Sequence, residues 1–411
     1  MSKFDSVRVS IINPMRNKIR VLMMLALLAA GLVFCGTAAA GFVPANSPRI
    51  KTMGRWIPTD NGSLNAGRGA VIASAEFEGT GVWAQMYSDS QRDVWWLKKL
   101  DDGPFERFKS HMGTNVLYQN LPPGKHQLTI IRETEGMQGV TILRGFFFVG
   151  EKGSVDLTSA ATPTTGNPER KDAVGPGIVS GNTDGKEPLP QEQPKRRSIE
   201  IIGDSVAAGA FIYPEGDYFQ RESGYLAFGP RLARMLDADW SCVASSGEGA
   251  VRNNEEKAPY TAKHAEEQIE RAFYTQQEPR WNSDMDDPDL VILAYGENDF
   301  NDAANRPSDE YFKTQYKKLI LKLRQFRPDS VIFCMTPANT VTSRQCVPGM
   351  GGAVAELRAE GDTRVYFIDL NANGPLLDSS DFLDGVHPLG SGHEKIARHL
   401  RNQVRSIMGW N

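Results

Sequence analysis

Apolar and polar positions along this 411-residue chain follow two different rhythms. Between about 50 and 157 the runs VIASAEFEG, VWAQMYS, DVWWLKK, HQLTIIRE and VTILRGFFFVG alternate with period two. That period turns every second side chain toward one face of a sheet. Turn signals such as Asp101-Asp102-Gly103 and Pro122-Pro123-Gly124 separate the runs, and short strands at this spacing predict an all-β sandwich of jelly-roll type over 50–157. From 198 to 411 continuous apolar runs exchange with stretches of helical period. Strands are expected over 198–203, 240–244, 290–296, 331–335 and 365–370, and helices over 225–236, 262–274, 310–326, 354–358 and 391–407. Strands buried on both faces and joined by helices predict an α/β domain of flavodoxin-like layout with a five-stranded parallel sheet.

Two stretches fall outside both rhythms. Residues 158–197 are rich in Pro, Gly, Thr and charge without apolar periodicity, the composition of a linker. In residues 1–40, Arg16, Lys18 and Arg20 precede an apolar run from Val21 to Phe34, and Thr37-Ala38-Ala39-Ala40 supplies small residues for cleavage. This is the pattern of an export signal. Read as a span over 21–43, it is instead long enough for a membrane tether. The choice between cleaved signal and anchor stays open, and both place the chain outside the cytoplasm.

Composition narrows the partners. With 46 basic and 50 acidic residues the net charge is −4, so there is no broad basic surface and no nucleic-acid partner is expected. Four cysteines do not make a disulfide scaffold. A Cys334–Cys346 bridge and free buried thiols are equally compatible with the spacing. No cluster of Cys, His, Asp and Glu has ligand spacing, so neither a metal nor a cofactor is expected.

The candidate chemistry sits where expected strands end. SIEIIGDSVAAG (198–209) carries Ser205 to the carboxyl edge of the sheet, where open α/β sheets bind ligands. SSGEGAVRN (245–253) follows the next strand, YGEND (295–299) the one after, and LDGVHPLG (383–390) precedes the last helix. A serine hydroxyl is a weak nucleophile and needs an imidazole to take its proton and return it to the leaving group. The imidazole needs its second nitrogen held, usually by a carboxylate. Ser205, His387 and Asp384 supply these types. A tetrahedral intermediate needs aimed donors, each worth roughly 3–4 kcal/mol. The N–H groups of Ser205 and Gly247 and the side chain of Asn298 are the candidates, with Gly249 as an alternative to Gly247. Asp204 and Asp299 read as loop-ordering residues, Glu297 as a solvent-facing one, and His393 and His399 as residues packed on the last helix.

These four blocks, in this order, resemble the SGNH (GDSL-like) hydrolase superfamily, and the preceding sandwich extends the likeness to carbohydrate esterase family 2. The sandwich is similar in Gly54-Arg55-Trp56, PPGKHQLTIIRETE (122–135) and GVTILRGFFF (139–148), the second domain in ESGYLAFGPRLARML (222–236). The resemblance implies a Ser205 nucleophile, a His387 base, and Gly247 and Asn298 oxyanion donors. It also implies an acetylated polysaccharide, xylan- or mannan-like, as substrate. The sequence departs from the family in three places. Its linker is longer, its acid stands three rather than two residues before the histidine, and Val386 occupies a position where an aromatic commonly lines the acyl site. The expectation is a serine esterase that removes O-acetyl groups from a polysaccharide. The rivals are a carbohydrate O-acyltransferase on the same fold and a non-catalytic glycan-binding surface protein. Trp95 and Trp96 point to opposite faces of one strand, so at most one serves as a sugar platform.

Overall fold

The structure, a computed structural model, describes residues 40–90, 92–150, 196–260, 264–281 and 287–411. The linker expected over 158–197 and the signal or anchor expected over 1–40 fall almost wholly outside these residues.

The amino-terminal domain is an antiparallel sandwich. Its strands are β1 (Ala40–Pro44), β2 (Ile50–Met53), β3 (Ile57–Pro58), β4 (Leu64–Ala66), β5 (Ile72–Gly79), β6 (Gly81–Ser88), β7 (Trp95–Leu100), β8 (Glu106–Lys109), β9 (Gly113–Tyr118), β10 (Gly124–Arg132) and β11 (Thr141–Val149). One sheet runs β3-β4-β11-β6-β9 with β1 added on β11; the other runs β2-β5-β10-β7-β8. Phe77, Trp96, Leu128, Ile130, Phe146 and Phe148 fill the space between them. The long central strands are the ones the alternation announces. The short outer ones carry too few alternating positions to be read. Because β1 pairs Val43 with Phe146, residues 40–43 belong to the sandwich. A membrane span over 21–43 would have to unpair that strand, and this corrects the tether in its last residues. Among the described residues no helix is long and apolar enough to cross a membrane. Trp96 is fully buried, and Trp95 is half-buried beneath the Arg107 guanidinium, 4.9 Å from its ring, so neither is an open platform.

The second domain is a parallel sheet of β12 (Ser198–Gly203), β13 (Asp239–Ala244), β14 (Leu290–Ala294), β15 (Val331–Met335) and β16 (Val365–Ile368), in the order β13-β12-β14-β15-β16. Helices Phe228–Met235 and Gly390–Met408 cover one face, and Asp309–Phe326 and Thr340–Ala359 the other. Two helices depart from expectation. The helix expected over 262–274 is only His264–Gln268, because the sandwich takes the carbonyls that would continue it. Arg55 donates to Ile269 O (3.1 Å) and Arg271 O (2.7 Å), and Arg68 to Gln268 O (3.2 Å). The short helix expected at 354–358 extends back to Thr340 through Pro348. Proline within a helix costs about 3 kcal/mol, and packing offsets it. Gly349 lies so close to the neighbouring helix that a Cβ there would stand 2.7 Å from the Phe312 ring. Cys346 lies on this helix and Cys334 on β15; both are buried free thiols, which removes the bridge from consideration. Burial pushes the Cys334 thiol up to about 12.

The domains are joined by buried polar contacts. Glu200 on β12 is fully buried between Arg55 of the sandwich (2.8 Å) and Arg327 (3.0 Å). Trp240 Nε1 donates to Ala70 O at 3.0 Å.

Candidate active site

The first strand of the sheet lies between the second and third, so the carboxyl ends of β12, β13 and β14 open onto one crevice at the point where strand order reverses. Ser205 begins a single helical turn directly after β12, and Asp204 caps it by accepting from Val206 N–H at 3.0 Å. Gly203 must be glycine, since a Cβ there would stand 2.6 Å from Ala294 O on the adjacent strand.

His387 Nε2 lies 3.0 Å from Ser205 Oγ, and His387 Nδ1 lies 2.7 Å from Asp384 Oδ2. The other carboxylate oxygen accepts the backbone N–H groups of Val386 (2.9 Å) and His387 (2.7 Å), so one side chain orders the loop and orients the ring. Burial alone would raise the Asp384 carboxyl. The donors from His387 and Val386 outweigh it and hold the group below the usual carboxylate range. Ser205 is nearly buried and Asp384 is 41 % exposed, so the relay runs from a closed hydroxyl to a wet acid.

The loop after β13 leaves the sheet at the same edge as Ser205, since β13 runs parallel to and beside β12. Gly247 adopts a positive φ of 79°, a conformation that favours glycine. Its N–H and that of Ser205 have no protein acceptor among the described residues. Gly249 is placed differently: its N–H already donates to Asn253 Oδ1 at 3.1 Å, and a Cβ on it would overlap Arg252 O. Asn298 opens the turn after β14 and donates through Nδ2 to Glu248 O at 2.7 Å, which ties its amide to the same loop. Asp299 accepts from the N–H groups of Ala250, Val251 and Arg252, the loop-ordering role expected of it. Burial pushes its carboxyl up to about 6 despite those bonds. Glu297, expected in solvent, is buried and accepts from Thr342 Oγ1 at 2.6 Å; burial raises it to about 7.

Ser205, His387 and Asp384 are thus joined by hydrogen bonds, and Gly247 and Asn298 stand in the loops that leave the neighbouring strands at the same sheet edge. Three residues beside them carry no sequence signal. Phe211, at φ 58°, lays its ring 4.8 Å from the His387 imidazole. Tyr218 donates its hydroxyl to Ser246 Oγ at 2.6 Å. Glu135, from the sandwich, accepts the Ser246 N–H at 2.6 Å. Two come from an irregular loop and one from the other domain, where neither periodicity nor spacing points to them.

Residues 201–395 match the GDSL-like Lipase/Acylhydrolase family, and residues 52–155 match the Carbohydrate esterase 2 N-terminal family. The chain is 24% identical over 378 residues to an acetylxylan esterase / glucomannan deacetylase of Cellvibrio japonicus, covering 90% of this chain and 91% of that protein. It is 26% identical over 383 residues to Cellulase/esterase CelE of Acetivibrio thermocellus, covering 89% of this chain but only 40% of that longer protein. Among solved structures, a family two carbohydrate esterase from Cellvibrio japonicus superposes with a TM-score of 0.71 at 23% identity, over 90% of this chain and 99% of that one. With a family match on each domain, the chain pairs a GDSL-like lipase/acylhydrolase domain with a carbohydrate esterase 2 N-terminal domain.

Proposed function

We propose that this protein is a serine esterase that removes O-acetyl groups from a polysaccharide. The continuous chain of hydrogen bonds from Asp384 through His387 to Ser205 carries the reading. Ser205 Oγ attacks the acetyl carbonyl carbon while His387 Nε2 takes its proton. The oxyanion forms against the N–H groups of Ser205 and Gly247 and the second amide hydrogen of Asn298. Collapse expels the sugar oxygen, which takes the proton from His387 and leaves an acetylated Ser205. Water then attacks that ester, again losing its proton to His387, and acetate leaves as Ser205 is reprotonated. Asp384 keeps the ring in the tautomer with Nδ1–H and stabilises the imidazolium.

The substrate class rests on the relatives' names, which pair acetylxylan with glucomannan, so xylan and mannan both remain in play. A polymer of that size is met outside the cytoplasm. The basic residues before Val21–Phe34 and the small residues at 37–40 support export.

Acetate release from acetylated xylan, acetylated glucomannan and 4-nitrophenyl acetate by the purified protein and its Ser205→Ala variant tests the reading. Release by the parent alone, greater on one polymer, is expected. Acetyl transfer to added oligosaccharide in excess of hydrolysis would replace it with a transferase, and binding without turnover would leave a glycan-binding protein.

A further inference from the structure

The loop that presents Gly247 is held from behind by the other domain. Glu135 follows β10, in a segment built around the fully buried Arg132 guanidinium. That group donates to the carbonyls of Ala66 (2.6 Å), Thr134 (3.0 Å), Glu135 (3.2 Å) and Gly139 (2.7 Å). The backbone N–H of Glu135 is taken by the Glu222 carboxylate, from the loop that follows the Ser205 turn. Backbone and side chain are both buried, and the carboxylate accepts the Ser246 N–H at 2.6 Å. Tyr218 fixes the Ser246 hydroxyl from the other side.

We propose that Glu135 is a positioning residue for the oxyanion hole: the sandwich domain, through this carboxylate, fixes the Ser245–Ser246 peptide that leads into Gly247 and so, one residue on, restricts the direction of the Gly247 N–H toward the reacting carbonyl. The inference rests on the esterase reading above. A bare carboxylate is costly to bury, and a polar group kept at that cost beside an irregular loop has a geometric task. Gly247 is free to adopt several backbone conformations, and an unpaired Ser246 N–H would seek another acceptor. The SGNH domain therefore depends on its neighbour for catalytic geometry.

Three variants test this: Glu135→Leu, which removes the acceptor; Glu135→Gln, which keeps one; and Glu135→Asp, which withdraws it by one methylene. The readouts are kcat and KM on 4-nitrophenyl acetate, and affinity for an arylboronic acid whose tetrahedral adduct on Ser205 needs the same donors. A misaimed donor costs up to about 100-fold. The expected result for Glu135→Leu is a kcat lower by roughly 10- to 100-fold, KM within about threefold, and boronate affinity falling in step with kcat. Glu135→Gln should return both to within about threefold of the parent. If Glu135→Leu does not fold, a folded Glu135→Asp with kcat down about fivefold supports the inference, and one with parental kcat overturns it. Unchanged kcat in a folded Glu135→Leu, or a fall in kcat without a fall in boronate affinity, also overturns it while Ser205→Ala still abolishes turnover. A parent with neither turnover nor boronate binding would sink the esterase reading and this inference together.

Discussion

The phenyl ring of Phe211 lies against the imidazole of His387, centroid to centroid 4.8 Å with the planes tilted by 36°. Phe211 holds this place at a φ of 58°, a region that bulky side chains avoid. Tyr218 meets the ring edge-on at 4.9 Å and the Arg221 guanidinium lies 5.6 Å from its centroid. Backbone strain kept at a reactive site by its surroundings is a sign of use. Here it gives a wet His–Asp pair one dry wall. Aromatic contacts of this kind contribute about 1 kcal/mol, so Phe211→Ala should lower kcat/KM roughly fivefold. Phe211→Tyr should stay near the parent. Steady-state kinetics on a small acetyl ester reads the difference.

Asp384→Asn keeps an oxygen for the Val386 and His387 N–H groups but offers an amide N–H to His387 Nδ1. The ring is then pushed toward the tautomer that cannot accept from Ser205. A fall in kcat of about 100- to 1000-fold is expected, below the roughly 10,000-fold loss at a fully buried triad acid, because water reaches Asp384. A kcat within tenfold of the parent would show that another group orients the ring.

Glu200 joins the domains through Arg55 and Arg327, all three buried. The two guanidinium groups outweigh the burial that would raise this carboxyl and hold it below the usual range. Glu200→Ala deprives two buried cations of their carboxylate, so a loss of about 3–5 kcal/mol is expected in denaturant titration. Sandwich and hydrolase signals should lose stability together, since Arg55 also holds the carbonyls of Ile269 and Arg271. A transition confined to one domain would contradict that coupling.

Stability should increase on mild acidification. Burial raises Glu248 to about 8, Glu297 to about 7 and Asp299 to about 6, so the native state binds extra protons. Their contribution is fully present below the ordinary carboxylate values and is lost as pH rises through about 6 to 8. Asp204 and Glu222, also raised by burial, act with the same sign. Against them, burial lowers His393 from 6.5 to about 3, so its contribution is lost as pH falls through that interval. The carboxyls outnumber the histidine where the windows overlap. The thermal midpoint should be higher at pH 5.5 than at pH 8, and Glu248→Gln should flatten the slope. A midpoint that climbs steadily to pH 8 would contradict the assignment.

Much of this protein was written in its local sequence. A continuous apolar strand that stops at a small polar turn marks the carboxyl edge of a parallel sheet, so Ser205, Gly247 and Asn298 could be located by where β12, β13 and β14 end. His387 stood out as a histidine in such a loop with Asp384 one turn before it. The long central sandwich strands were legible for the same reason: burial of one face imposes a period on consecutive residues. What tertiary structure alone decided involves groups far apart in the chain. Arg55 and Arg68 stop a helix that its own sequence would continue to about 274. The contact of Gly349 with Phe312 carries a helix through Pro348 against its propensity. Glu135 reaches Ser246 across 111 positions, and Phe211 reaches His387 from a loop with no period. Periodicity records which face of an element is buried, but a hydrogen bond between loops of different domains leaves no trace in either loop. The chemical groups and their places at the sheet edge come from local sequence, and the bond from Ser246 N–H to Glu135 comes from the packing of one domain on the other.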